Sequence, residues 1–123
     1  MTRYLLVAIG GGTGALARYV AASAIMTRFG GKFPLGTLAI NVTGSFLIGF
    51  LMTILTGRFQ VDPRWRLLLV VGFLGGYTTF SSFEWETYTS VREGELWAGM
   101  LNVVSSVMLG YVAVWLGSML ARR

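Results

Sequence analysis

The chain has 123 residues, 54 % of them hydrophobic and only 12 % charged, with a formal net charge of +5 and neither Cys nor His. A soluble domain carries about 25 % charged residues, so this deficit, with a mean hydropathy of +0.67, puts a single domain in lipid. Disulfides, thiolate metal sites and imidazole acid–base chemistry are excluded, and the basic residues cap apolar segments instead of forming the stripe that nucleic acid needs.

Four apolar stretches follow one another: Tyr4–Met26, Leu35–Thr56, Leu67–Val91 and Leu96–Ala121. Each approaches the roughly 20 residues that an α-helix needs to cross about 30 Å of hydrocarbon. The expected fold is an all-α membrane protein with one four-span domain. Its connectors are short: Arg28 to Pro34, Gly57 to Arg66, and Arg92 to Glu95.

In the first stretch, Arg3 and Ala15-Leu16-Ala17 imitate a signal peptide. The run Tyr4–Ile9 is short for its apolar region, however, and Gly10–Gly14 interrupts it. Gly10-Gly11-Gly12-Thr13-Gly14-Ala15 also fits the dinucleotide fingerprint. That motif needs an acidic residue about 20 positions on, and the first acidic residue is Asp62. Close helix packing is the better reading. Gly10 and Gly14, Gly72 and Gly76, Ser45 and Gly49, and Ser106 and Gly110 are all small-xxx-small pairs. Together they exceed the needs of one small bundle and suggest a homo-oligomer. Arg18 lies inside this span, where a charge is expensive. It either snorkels to the interface or stands at the mouth of an aqueous vestibule.

On the second stretch, Thr37, Asn41 and Ser45 recur at helical period and form one polar stripe. Single hydroxyls there serve equally well as interhelical hydrogen-bond partners. Asn41 is costlier to bury unpaired, and its amide offers two N–H donors suited to an anion that has shed water.

The third stretch holds Gly72-Phe73-Leu74-Gly75-Gly76-Tyr77-Thr78-Thr79-Phe80-Ser81-Ser82-Phe83. Adjacent glycines and a Thr-Thr pair are poor helix formers, so a break is expected near Thr78, at mid-membrane; the alternative is a kinked, Gly-packed helix. Irregular backbone at that depth must be enclosed by protein or water, and channels and transporters use such breaks to hold ions. With no carboxylate nearby, neutral carbonyls there suit a monovalent cation better than a divalent one. Phe80 and Phe83 lie one turn apart among Thr79, Ser81 and Ser82. Packing is the ordinary role of such a pair, but their electropositive ring edges could also touch a small anion weakly. Glu84 and Glu86 follow and read as a pair near the interface, solvated or bonded to Thr and Trp. The fourth stretch repeats the polar stripe with Asn102, Ser106 and Gly110.

Arg3, Arg58, Arg64, Arg66, Arg122 and Arg123 share the side of the termini; Arg28, Lys32 and Arg92 lie opposite. This bias favours cytoplasmic termini, and it is small enough to allow insertion both ways.

Taken together, G-x-x-x-G-A-x-x-R-Y over Gly10–Tyr19, the run Gly36–Asn41 and the third-span motif over Gly72–Phe83 resemble the Fluc (CrcB) family of fluoride channels. The resemblance covers essentially the whole chain. It implies an antiparallel, dual-topology homodimer in the cell membrane with two fluoride pores, and no enzymatic activity. It further implies a structural Na⁺ at the dimer centre, held by main-chain carbonyls of Gly75 and Thr78. Phe80 and Phe83 would line the pore, and Asn41 would lie in the vestibule or polar track. Ser106 matches the fourth-span track. Some members have Tyr at Asn102 and Ser at Gly110, so those roles are not carried over. Thr37, Thr79, Ser81 and Ser82 complete the expected anion-contacting set, with Arg18 in the vestibule. The expected function is passive fluoride export. A four-span multidrug exporter is the alternative, but it needs an acidic residue in the first span, which here has Arg18. A non-transporting subunit would explain the glycines and not the Thr-Thr-Phe-Ser-Ser-Phe run.

Overall fold

The computed structural model describes residues 1–58 and 60–123, the side chain of Arg58 excepted, so the second connector at Phe59 lies outside the described residues. The described residues form helices and connecting segments, with no strand among them. Four helical segments, Thr2–Phe29, Leu35–Gly57, Pro63–Arg92 and Leu96–Arg122, are long and apolar enough to cross a membrane.

Helix α1 (Thr2–Phe29) stops where Gly30 turns extended. Helix α2 (Leu35–Thr53) starts after Pro34 and loosens into a π-helical turn, Ile54–Arg58. Asp62 caps α3 (Pro63–Trp65) by accepting the Arg64 N–H at 2.9 Å, with Pro63 at the first helical position. The chain then widens to π-winding over Arg66–Leu74, ending where the Gly75 N–H reaches back to the Val70 carbonyl. Helix α4 (Gly75–Tyr77) is one turn, and α5 (Phe80–Arg92) follows two residues later. Gly94, at φ +85°, supplies the left-handed residue that turns the chain into α6 (Leu96–Arg122).

Glycines decide how these helices meet. Helix α1 lies on the π-wound stretch and α4. A Cβ at Gly14 would run into the Phe73 carbonyl, and one at Gly76 into the carbonyl of Gly11. Helix α2 lies along α6 in the same manner, with Gly49 against the Val114 carbonyl and Gly117 against that of Phe46. In lipid, helices gain little from the hydrophobic effect on pairing, so this backbone contact is what holds them. Hydrogen bonds add to it: Thr53 with Ser118 at 2.7 Å, and Asn102 Nδ2 donating to Thr87 Oγ1 at 3.0 Å. Gly10 with Gly14, Gly72 with Gly76, and Gly49 are thus filled within one protomer, whereas Ser45, Ser106 and Gly110 stay only partly covered. The centre of the bundle is small, with Ile40, Leu74, Ala98 and Asn102 almost wholly enclosed. Outward faces carry large apolar side chains such as Leu16, Val107, Tyr111 and Trp115, as lipid requires.

Candidate functional site

Between α4 and α5 the backbone turns extended, with φ/ψ of −83°/156° at Thr78 and −149°/121° at Thr79. Asn41 of α2 sits against this segment and pairs with it twice. Its Nδ2 donates to the Thr79 carbonyl, and its Oδ1 accepts the Thr79 N–H, each at 2.9 Å. The side-chain amide thus replaces the ladder that Thr79 has left. Thr79 Oγ1 caps α5 by accepting the Ser82 N–H at 3.3 Å. Arg18 of α1 donates from Nε to the Gly76 carbonyl at 3.0 Å.

The break relieves the carbonyls of Gly75, Gly76, Tyr77 and Thr78 of their helical donors, because the first N–H groups of α5 have no partner four residues back; Gly76 accepts from Arg18 instead. In an unbroken helix the Thr79 N–H would close on Gly75, and the Ser82 N–H on Thr78; here they turn to Asn41 and to Thr79 Oγ1. Of these four residues, Gly75 and Thr78 line a cleft whose walls contain no carboxylate. Neutral, hard oxygen donors of this kind suit a small monovalent cation.

Three clefts share walls around the extended segment. The innermost, about 420 Å³, brings Asn41, Thr78, Thr79, Phe80, Phe83 and Ser106 together. Through Thr79 it adjoins a smaller one of about 180 Å³, where Arg18, Thr37, Ser82 and Glu86 meet. Through Thr37 and Glu86 that one adjoins an outer cleft of about 430 Å³, reaching Lys32 and Glu93. The α2 stripe runs along all three: Thr37 faces the outer pair, Asn41 and Ser45 the innermost.

The residues singled out from sequence distribute as follows. The Phe80 and Phe83 rings lie 5.7 Å apart, tilted by 57°. Phe83 is buried, whereas Phe80 is 74 % exposed on the protomer surface. Ser106 Oγ donates to Asn102 Oδ1 at 3.4 Å, so Asn102, fully buried, ties α6 to α5 while Ser106 faces the cleft. Ser81 is exposed on α5 and outside all three walls. Two side chains gain roles that spacing did not give them. Glu86 accepts from Thr37 Oγ1 at 2.6 Å, keeps its other oxygen buried without a partner, and forms part of two cleft walls. Tyr77 shares a 2.8 Å hydroxyl contact with Thr43. A carboxylate one helical turn from a serine pair was a visible signal for Glu86; nothing in the sequence paired Tyr77 with Thr43.

Outside the spans, Lys32 Nζ donates to Glu95 Oε1 at 2.7 Å, and Trp97 Nε1 to Glu95 Oε2 at 2.6 Å. The Lys32 hydrogen bond, then that of Trp97, holds the Glu95 carboxyl below its usual value, and Glu95 in turn raises Lys32.

A family model described as CrcB-like protein, Camphor Resistance (CrcB), matches residues 5–118. The chain is 64 % identical over 121 residues to the fluoride-specific ion channel FluC of Solibacter usitatus, covering 98 % of this chain and 99 % of that protein. It is 49 % identical over 121 residues to the protein of the same name from Acidobacterium capsulatum, covering 98 % and 97 %. With that from Pyrococcus horikoshii it shares 42 % over 118 residues, covering 96 % and 94 %.

Proposed function

This multi-pass membrane protein belongs to the CrcB-like family, and on that footing we propose that it is a fluoride channel that lets F⁻ leave the cell passively. The working unit is an antiparallel homodimer inserted in dual topology, with the extended Thr78–Thr79 segment at mid-membrane. Structural Na⁺ at the dimer centre is held by the carbonyls of Gly75 and Thr78 from both protomers. The observation that carries this reading is one cleft that gathers Asn41, Thr79, Phe80, Phe83 and Ser106 beside a capped helix start.

The physical problem is dehydration. Moving an anion into low dielectric carries an idealised cost of about 20 kcal/mol, and water has to be replaced by fixed donors. The start of α5 supplies part of that replacement, because free N–H groups there carry roughly half a positive charge. Arg18 offers a full charge in the adjoining cleft, with Thr37 and Ser82 hydroxyls beside it. Asn41 acts chiefly by bracing Thr79, since one amide N–H and its oxygen are already engaged; its remaining N–H is free for the anion. Ser106 faces the same space. The edges of Phe80 and Phe83 add weak contacts, and weak serial contacts are what conduction needs. Bound Na⁺ would contribute a fixed positive charge that lowers the barrier for the anion and ties the protomers together.

Efflux of fluoride from proteoliposomes, read with a fluoride electrode, is the direct test. Wild-type protein should empty the vesicles, and Phe80→Ile should abolish most of the flux while leaving the protein monodisperse. Vesicles that retain fluoride despite well-folded wild-type protein would remove the channel reading.

A further inference from the structure

An ion pair at the outer end of the bundle has no part in the mechanism above. Lys32 comes from the loop between α1 and α2, and Glu95 is the residue before α6. Their charged atoms meet at 2.7 Å, and the second Glu95 oxygen is held by Trp97. The carboxylate is thus fixed from two sides, while the Lys32 side chain remains 72 % exposed.

Lys32 is also part of the wall of the outer cleft. The other ionisable side chains of that wall are Glu86 and Glu93, both acidic. Arg18 lies one cleft further in, beyond the shared Thr37 and Glu86. Within the cleft walls an anion approaching Arg18 from this end therefore passes two acidic residues and one cation, already offset by Glu95, while Arg28 and Arg92 lie at the same end but outside those walls.

We propose that Lys32 sets the rate at which the anion enters from this end, and that Glu95 determines how much of the Lys32 charge the anion meets. Lys32 is a positioning and steering residue, not part of the dehydrated pathway. The inference rests on the fluoride-channel reading. Steering by a charge in a cleft acts on entry, and it weakens as salt screens it. In water a unit charge about 8 Å from the path changes the local anion concentration by roughly a factor of two.

The experiment measures unitary fluoride current in planar bilayers for wild type, Glu95→Gln, Lys32→Gln and the double variant. Ionic strength is set with an impermeant salt at about 0.01 M, where screening reaches roughly 30 Å, and at about 1 M, where it reaches roughly 3 Å. At low ionic strength Glu95→Gln should raise the current about twofold and Lys32→Gln should lower it about twofold. The double variant, with both charges gone, should stay close to wild type. At high ionic strength all four should coincide. Shifts in the same direction for the two single variants, a difference that survives high salt, or equal currents at low salt would each overturn the proposal. A wild type that carries no fluoride current would bring down the channel reading and this inference together. Wild-type current without a charge effect would remove this inference alone.

Discussion

Asn41 illustrates how one side chain holds a local conformation that the sequence around it could not hold alone. The Thr78 N–H still closes on the Leu74 carbonyl, but the Thr79 N–H has no helical acceptor, and the amide on α2 supplies both a donor and an acceptor to Thr79. Asn41→Ala leaves the part-buried Thr79 N–H without a partner, at about 1–3 kcal/mol, and removes one of the two donors to the Thr79 carbonyl, which as N-cap still accepts within α5. Thermal unfolding in detergent should therefore start at lower temperature, and fluoride efflux should fall at least tenfold, since about 1.4 kcal/mol at the barrier is already tenfold. Unchanged flux together with an unchanged unfolding curve would show that Asn41 neither braces Thr79 nor serves the anion. Asn41→Asp is a sharper probe. It keeps the acceptor for the Thr79 N–H, loses the donor to the Thr79 carbonyl and adds negative charge to the cleft. Its flux should drop further than its stability.

At the scale of elements, the four spans were legible because a long apolar run in lipid has few solutions: its backbone must be satisfied within the helix. The polar stripe on α2 was legible by period alone, and it does run along the clefts. Other features were beyond the sequence. Where an N–H turns once it leaves a helix depends on what tertiary packing puts nearby, so the pairing of Thr79 with Asn41 could not be read from either residue. The π-winding over Arg66–Leu74 has no residue signature in this chain. The glycine pairs were visible, but which helix each would meet was not; Gly10, Gly14, Gly72, Gly76 and Gly49 proved to meet backbone of the same protomer, while Ser45 and Ser106 line the innermost cleft. A contrast among these glycines is measurable. Gly14→Val drives a side chain into the Phe73 carbonyl, whereas nothing lies within 4 Å of a Cβ at Gly12. Gly14→Val should lose its monodisperse peak on size exclusion, with a penalty at or above the 1–3 kcal/mol, approximately, of ordinary overpacking; Gly12→Ala should elute as wild type. Equal behaviour of the two would contradict the packing of α1 described above. The connector tie between Lys32 and Glu95 gives a pH prediction. A carboxyl lowered on folding contributes stability above its unfolded value and loses it as pH falls through the lowered one; a raised lysine contributes below its unfolded value and loses it as pH rises through the raised one. The tie is therefore intact between those limits. Emission from Trp97, with Trp65, Trp85 and Trp115 replaced by Phe, should stay flat down to the ordinary glutamate value of 4.5 and change only below it. A transition centred at that ordinary value would mean that Lys32 does not hold Glu95.

The whole molecule raises the question of what covers Phe80. Its ring is 74 % exposed although its neighbour Phe83 is buried, and Gly75, whose carbonyl has lost its helical donor, is exposed on the same cleft. A protomer facing lipid there would set an unpaired carbonyl against hydrocarbon, which costs several kcal/mol. A second copy related by a two-fold axis would remove that cost in one step: the Gly75 and Thr78 carbonyls of each protomer would become four oxygens around one point, and Phe80 would gain a neighbour from the other copy. The proposed Na⁺ would then stabilise the assembly by more than the carbonyls alone could, because four carbonyl dipoles converging without a cation repel one another. Cation supply during assembly should thus decide both oligomeric state and flux. Protein purified and reconstituted in N-methylglucamine salts should show little fluoride efflux and a larger monomer fraction on cross-linking, and Na⁺ added before reconstitution should restore both. Substitution at Gly75 or Thr78 is a poor test, because main-chain oxygens survive any side-chain change. Full flux and full dimer in the absence of Na⁺ would refute the cation assignment and leave the pore assignments standing, since those rest on side chains in the clefts and not on the axis.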